Sequence, residues 1–175
     1  QSGVQVDVLD IGGGFPVAYP NQDVPDLSVF LDTIKQGVEE HGLGDMALMC
    51  EPGRAMVGNG ASLIARVEGR RGNMLYINDG IFGGLFDAGP SMGWAFEVKA
   101  IAAHPRKSCR APLQEFGFFG PTCDSTDQMN GPFMLPGDIT VGDWIEIKNL
   151  GGYSSCMRSN FNGFGASNKV LLYKL

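Results

Sequence analysis

A short apolar run that ends in Glu-Pro-Gly-Arg constrains this sequence more than any other feature. The run covers residues 46–50, and Glu51, Pro52, Gly53 and Arg54 follow it directly. Pro52 biases Glu51 toward an extended backbone, and Gly53 lets the chain turn and approach a ligand closely. We therefore predict a buried strand that surfaces at a site, where Glu51 faces a cation or a protonated ring nitrogen and Arg54 faces a phosphate or carboxylate. A strand end with a surface ion pair is the alternative.

An earlier strand-like stretch, residues 4–11, runs directly into Gly12, Gly13 and Gly14. Consecutive glycines after a strand expose backbone N–H groups, which is how a loop cradles a phosphate, although glycine runs also form plain turns. Between the two stretches, residues 27–41 repeat apolar side chains at helical spacing, so this segment is predicted to be an amphipathic helix.

The order strand, helix, strand predicts a parallel β-α-β unit in residues 1–55. Two consecutive strand ends of a β/α barrel lie on one rim, where such barrels bind ligands. Residues 56–175 differ, because short strands alternate there with glycine, proline and asparagine turns, which indicates an antiparallel β-domain, a sandwich or open barrel. The strands predicted in this second part cover residues 62–68, 73–78, 95–102, 144–148 and 170–173.

Charge and cysteine usage narrow the functional classes. The net charge of −6 argues against nucleic acid as a partner. The four cysteines show neither metal-ligand spacing nor a disulfide framework, so we predict free thiols in a cytoplasmic protein without a metal site. No apolar run is long enough to span a membrane, and we expect no membrane partner.

Two further stretches carry candidate site residues. Residues 119–127 place one thiol, Cys123, beside the carboxylate of Asp124 on a loop bounded by glycine and proline. The thiol there is a candidate proton donor and the carboxylate a candidate ammonium ligand, and a plain Asp/Ser-rich turn is the alternative. Nearer the end, Tyr153 and Phe161 lie beside glycines, where an aromatic ring lines a cofactor or belongs to the core.

Taken in order, six motifs resemble the fold-type III decarboxylases that use pyridoxal phosphate (PLP), and most closely the bacterial ornithine decarboxylases. The motifs are Asp-Ile-Gly-Gly-Gly-Phe-Pro at 10–16, Glu-Pro-Gly-Arg at 51–54, Tyr-Ile-Asn-Asp-Gly at 76–80, Gly-Pro-Thr-Cys-Asp-Ser-Thr-Asp at 120–127, Gly-Tyr at 152–153 and Phe-Asn-Gly-Phe at 161–164. The resemblance implies the C-terminal part of a PLP-binding (β/α)8 barrel, followed by a β-sandwich or Greek-key barrel domain.

The resemblance also implies how the cofactor is held. Backbone N–H groups of the glycine run, the Arg54 guanidinium and the Tyr153 hydroxyl would bind its phosphate, while Glu51 would keep its pyridine nitrogen protonated. The implied cofactor-binding residues are Gly12, Gly13, Gly14, Glu51, Gly53, Arg54 and Tyr153.

Roles at the substrate end follow from the same resemblance. Cys123 would return a proton to the substrate carbon after CO₂ is lost, Asp124 would bind the distal ammonium, and Phe161 would line the pocket. The family's eukaryotic enzymes touch the substrate with a Tyr-Asp pair downstream of the Gly80 motif, and the resemblance implies that Asp87 takes over that contact here. In the family Cys123 and Asp124 reach the partner subunit's site, which implies a homodimer with shared sites.

The implied activity is decarboxylation of a basic amino acid, L-ornithine to putrescine in polyamine biosynthesis. The Cys-Asp pair at 123–124 favours a diamine-forming enzyme over a diaminopimelate decarboxylase, and lysine stays open as substrate. A catalytically inactive, antizyme-inhibitor-like binding protein is a further alternative, although the intact Cys123 argues against it. A racemase of this fold class is disfavoured by Glu51. No lysine matches the family's Schiff-base lysine, so we expect an N-terminal barrel portion to carry it.

Overall fold

The computed structural model describes residues 6–104 and 109–173. Residues 4 and 5 of the first predicted strand lie outside the described residues. The strands and helices are β1 (Val8–Asp10), α1 (Leu27–Glu40), β2 (Ala47–Met49), α2 (Gly53–Val57), β3 (Leu63–Arg71), β4 (Met74–Ile77), β5 (Val98–Ile101), β6 (Leu113–Phe119), β7 (Gln128–Pro136), β8 (Trp144–Ile147) and α3 (Ser154–Met157).

The first part of the chain is the predicted β-α-β unit. Strands β1 and β2 pair in parallel, with Val8 opposite Ala47. Helix α1 begins after Asp26, whose carboxylate accepts a hydrogen bond of 2.9 Å from the backbone N–H of Ser28. Leu48 and Met49 stay 44% and 56% exposed, because within the described residues β1 and β2 have no further strand beside them. Parallel strands are normally covered on both faces, so this exposure is typical of a small part of a barrel.

A six-stranded sheet forms the second part, in the order β5-β8-β3-β4-β6-β7. Four of its five neighbouring pairs are antiparallel, as predicted, but β4 and β6 run parallel. The purely antiparallel prediction was therefore wrong at this pair. The sheet curls until β5 contacts β7, so one face closes around a core. The predicted combination of an α/β unit with an all-β domain is confirmed, while the boundary at residues 55 and 56 stays a prediction.

Inward side chains of the curled sheet make the core. Phe118 and Phe133 stack with ring centroids 4.0 Å apart and planes 3° from parallel, and both side chains are fully buried. Aromatic pairs of this kind contribute more than their buried area alone. The core fixes which face of each strand points inward, and thus where the loops between strands emerge.

The sequence analysis missed β6 and β7 and predicted one strand too many. Glycines and a proline interrupt both segments: Gly117 lies within a register shift of β6, and Gly131 precedes Pro132 in β7. A side chain at 117 would come within 2.7 Å of the Met74 sulfur, so this glycine permits close packing between strands. Residues 170–173 form no strand and are largely exposed.

Contacts between the two parts converge on the segment after the glycine run. Tyr19 is 5% exposed and packs its ring against Trp94 and Phe96, with centroids 5.0 and 5.2 Å away. Beside it, the side-chain amide of Asn149 donates to the Ala18 carbonyl over 3.3 Å. The β-α-β unit is thus tied to the sheet close to its own strand ends. No helix among residues 6–104 and 109–173 is long and apolar enough to cross a membrane.

Candidate functional site

The ends of β1 and β2 open into one cavity of about 490 Å³ between the two parts of the chain. Six of the seven residues predicted to bind the cofactor line it: Gly13, Gly14, Glu51, Gly53, Arg54 and Tyr153. Tyr19 and Trp94 complete its aromatic side. The cavity therefore brings together residues that are far apart in the sequence.

Backbone hydrogen bonds hold the two strand ends side by side. The N–H of Ile11 donates to the Met49 carbonyl (3.0 Å), and the N–H of Glu51 donates to the Gly12 carbonyl (2.8 Å). A methyl group at position 13 would overlap the Glu51 carbonyl oxygen, so only glycine permits this approach. Pairing of the strands thus continues into both motifs and sets their spacing.

Gly12 behaves differently from the two glycines that follow it. Its N–H donates to the Asp10 carboxylate over 2.8 Å, and the residue does not line the cavity. That the Gly12 N–H binds a phosphate stays a prediction, and this geometry does not support it. Gly14 has a φ of +84°, a left-handed conformation that favours glycine.

Arg54 lies in the first turn of α2 and points its guanidinium into the cavity wall. Nη1 donates to the Tyr19 hydroxyl oxygen (3.0 Å) and to the Asp87 carboxylate (2.8 Å). Its Cζ lies 4.5 Å from the Trp94 ring centroid and 4.8 Å from that of Tyr153. Burial alone would lower the pKa of Arg54, but the hydrogen bonds to Tyr19 and Asp87 outweigh it, so the pKa is raised. The guanidinium is therefore a fixed positive charge.

The donors and acceptors of this cavity fit a phosphorylated pyridine. Nε and Nη2 of Arg54 have no hydrogen-bond partner among the described residues, which leaves donors for an anion. The Tyr153 hydroxyl lies 3.3 Å from where a side chain at Gly53 would begin, so glycine keeps that hydroxyl accessible. The carboxylate of Glu51 is exposed and accepts no hydrogen bond from any described residue, as a partner for a protonated ring nitrogen must.

A metal is not indicated by the side chains that the structure describes. Among residues 6–104 and 109–173, no group of three or more His, Cys, Asp or Glu side chains could hold a metal ion. No lysine lines the cavity.

The predicted substrate-end residues form a second group, away from the cavity lining. The side-chain amide of Asn162 donates to the Thr122 carbonyl (2.8 Å), which brings the Phe161 segment beside the loop that carries Cys123. The Phe161 ring packs on Phe82 with centroids 4.4 Å apart and is 39% exposed. The structure therefore brings Cys123, Asp124 and Phe161 into one region.

A buried carboxylate that was not predicted as a site residue holds this loop. Asp127 is 1% exposed and accepts hydrogen bonds from Ile81 N–H (2.9 Å), Thr122 N–H (3.1 Å) and the Thr122 hydroxyl (2.6 Å). Cys123 lies on the surface with a φ of +61°, a conformation that is uncommon outside glycine and clusters at functional sites. The loop is thus pinned at its base and presents its thiol outward.

Thr126 donates two hydrogen bonds to Asp124, its neighbour in the loop. Oδ1 of Asp124 accepts hydrogen bonds from the hydroxyl (2.6 Å) and the backbone N–H (2.8 Å) of Thr126. Both bonds favour the carboxylate and lower the pKa of Asp124. Oδ2 accepts no hydrogen bond from a described residue, so it is available to a cation.

Asp87 lies beside the cavity-lining Arg54 and not with the other predicted substrate-end residues. It is 8% exposed, and its carboxylate pairs with Arg54. The predicted contact with substrate stays a prediction. Tyr19 and Trp94 were missed by the sequence analysis, because no local pattern marks a ring that packs beneath a distant arginine.

Gly13→Ala tests the close approach of the two motifs. The added methyl overlaps the Glu51 carbonyl oxygen, so the loop must shift, and we expect the free energy of unfolding in urea to fall by about 1–3 kcal/mol. Gly37→Ala is the matched control: it lies within α1 with open space around it, and should stabilise by about 0.5–1 kcal/mol. Equal effects of the two substitutions would contradict the packing argument.

Thr126→Val removes one donor from Asp124 and should raise the pKa of that carboxyl, because the lost hydrogen bond favoured the ionised form. Since the folded-state pKa of Asp124 is depressed, its contribution to stability is present above the ordinary aspartate pKa and is lost as pH falls through the depressed value. Carboxyl NMR titration measures the midpoint. Thr33→Val, whose hydroxyl donates to the Val29 carbonyl, should leave that midpoint unchanged; an unmoved midpoint in T126V refutes the assignment.

Comparison with known proteins places this geometry in a family. The sequence profile described as "Pyridoxal-dependent decarboxylase, C-terminal sheet domain" matches residues 18–151. Antizyme inhibitor 2 of Xenopus laevis is 33% identical over 192 residues, which cover 94% of this chain and 39% of that protein. Diaminopimelate decarboxylase of Neisseria meningitidis is 31% identical over 182 residues, covering 97% of this chain and 40% of that protein.

Among solved structures, the lysine/ornithine decarboxylase of Vibrio vulnificus, complexed with cadaverine, superimposes with a TM-score of 0.76 at 28% identity. The match covers 97% of this chain and 45% of that one. The chain thus spans about two fifths of the length of its curated relatives. Since the family profile covers most of the sequence and the sheet it describes is present, this chain belongs to the pyridoxal-dependent decarboxylase family and carries its C-terminal sheet domain.

Proposed function

We propose that this chain is the C-terminal portion of a PLP-dependent decarboxylase that converts a basic amino acid, L-ornithine, to its diamine, putrescine. The observation that carries the proposal is the convergence of Gly13, Gly14, Glu51, Arg54 and Tyr153 on one cavity. The N-terminal portion of the barrel supplies the Schiff-base lysine. The similarity to a lysine/ornithine decarboxylase complexed with cadaverine supports a diamine-forming reaction.

The residues at the cavity bind and orient the cofactor. The N–H groups of Gly13 and Gly14, the free edge of Arg54 and the Tyr153 hydroxyl bind its phosphate. The Glu51 carboxylate accepts a hydrogen bond from the pyridine nitrogen and keeps that nitrogen protonated. When bound, PLP supplies an electron sink for the negative charge left on the substrate carbon after CO₂ is lost.

Residues of the second group handle the substrate. Asp124, whose pKa is lowered by the hydrogen bonds from Thr126, binds the distal ammonium through Oδ2. The Cys123 thiol donates a proton to the substrate carbon, and Phe161 lines the pocket. No residue of the Cys123 loop lines the phosphate cavity, which favours a homodimer in which this loop serves the partner subunit's site.

Amino-acid turnover tests the function directly. The full-length protein, supplied with PLP, should bind a visible chromophore and release CO₂ and putrescine from L-ornithine, with L-lysine and diaminopimelate as competing substrates. Glu51→Ala should lower turnover by about 10²–10³ while PLP remains bound, because the phosphate contacts persist. Glu39→Ala, on the exposed face of α1, serves as control.

The alternatives give different results in the same assay. Faster turnover of lysine or diaminopimelate would reassign the substrate. A colourless protein that releases no CO₂ would instead support a binding-only homologue, a function that the similarity to an antizyme inhibitor keeps open. Near-normal turnover of E51A would contradict the role of Glu51.

Subunit mixing tests the shared site. A Cys123→Ala subunit and a subunit that lacks the Schiff-base lysine should each be inactive, because both groups are required at every site. Random pairing yields about half heterodimers, each with one intact site of two, so activity should recover to about a quarter of wild type. No recovery after proven subunit exchange would mean that each subunit builds its site alone.

A further inference from the structure

We propose that Asp87 is a positioning residue for the cofactor phosphate: it holds the Arg54 guanidinium so that the unbonded edge of the guanidinium faces the phosphate. It would act through Arg54 and not on the substrate. This inference rests on the proposed function, because it needs a phosphorylated cofactor in the cavity.

The two residues come from different parts of the chain and meet under partial burial. Arg54 belongs to α2 after the second barrel strand, and Asp87 belongs to the 3-10 turn Phe86–Ala88 in the loop between β4 and β5. Their side chains are 15% and 10% exposed and lie 2.8 Å apart. The N–H of Trp94 donates to the Asp87 backbone carbonyl (3.0 Å), which closes the loop between these two residues. The Asp87 carboxylate and the Trp94 ring, both next to the guanidinium, therefore belong to one loop.

The planar guanidinium turns these contacts into a fixed orientation. Both hydrogen bonds use Nη1, one to Asp87 and one to the Tyr19 hydroxyl oxygen. Because the guanidinium donors form a rigid fork, fixing one nitrogen while Trp94 restrains the group also fixes Nε and Nη2. A phosphate then meets donors whose rotamer freedom has already been lost on folding.

Charge repulsion alone would predict that Asp87 weakens phosphate binding, which is the opposite of the proposed role. Its carboxylate is negative and would repel a phosphate, so removing it should tighten phosphate binding if charge decided the outcome. Loss of the carboxylate would also leave a largely buried guanidinium without its counter-charge, and such a group turns toward water. We expect orientation to outweigh repulsion, because the repulsion is offset by the intervening positive charge of Arg54.

A substrate contact fits Asp87 less well than this role. The residue is 8% exposed, and its Oδ2 is bonded to Arg54. Each aspartate keeps one carboxylate oxygen without a hydrogen bond to a described residue. Asp124 is only partly buried and lies beside the exposed Cys123, so its free oxygen is the more accessible of the two.

The test is a cofactor titration of the full-length protein, followed by fluorescence, with PLP and with pyridoxal, which lacks the phosphate. Asp87→Ala should weaken PLP binding about tenfold, the scale of one charge-assisted hydrogen bond, and leave pyridoxal binding unchanged. Asp87→Asn, which keeps the shape and one acceptor oxygen, should lose less and covers the case in which D87A fails to fold. In an Arg54→Ala background, D87A should add nothing further.

Asp79→Ala is the matched control. Asp79 pairs with Arg158 at 2.5 Å with comparable burial in the same domain, yet neither residue lines the cavity. This variant should lower stability without changing PLP affinity. Equal loss of PLP affinity in D79A and D87A would reduce the effect to general destabilisation and overturn the proposal.

Other results would also overturn it. Unchanged or tighter PLP binding in D87A would show that repulsion prevails. A raised KM for the amino acid at saturating PLP, with PLP affinity unchanged, would make Asp87 a substrate contact. A D87A effect that persists in R54A would refute the positioning role alone, whereas a wild-type protein that binds no PLP would refute the proposed function as well.

Discussion

The buried charge of Arg54 is the constraint on which the arrangement of this molecule depends. A guanidinium that is 15% exposed needs a counter-charge, and it finds one in Asp87 from the other part of the chain. The Tyr19 ring lies between the two parts, so the pair is shielded as well as neutralised. The ion pair thereby holds the ends of β1 and β2 against the six-stranded sheet. The cavity lies where these strand ends meet the sheet.

The parts of the fold with a repeating pattern of apolar and polar residues could be predicted from the sequence. Helix α1 was recognised within one residue of its end, and the β-α-β order followed from two strand ends and the helix between them. Strands β6 and β7 escaped because glycine and proline break their alternation, and the glycine at 117 is required by contact with Met74. The parallel pairing of β4 with β6 depends on the path of the chain between them, which no local pattern records.

The candidate site divides in the same way. The motifs at 12–14 and 51–54 could be predicted from composition and spacing, and all of their residues except Gly12 and Pro52 line one cavity. Tyr19, Trp94 and the partner of Arg54 could not, because their roles arise from packing between distant segments. The relatives show that this scaffold occurs in proteins with different names, from a diaminopimelate decarboxylase to an antizyme inhibitor.

The buried aspartate beneath the thiol loop has an evolutionary consequence. A side chain at Gly80 or at Gly120 would overlap the Asp127 carboxylate, so neither glycine can be replaced while that carboxylate remains. Replacing Asp127 first would leave the Ile81 and Thr122 donors without their acceptor. Each single substitution therefore gives a destabilised protein, and the three positions can change only together. This mutual dependence would preserve the shape of the loop as the sequence diverges, while the exposed residues of the loop remain free to vary.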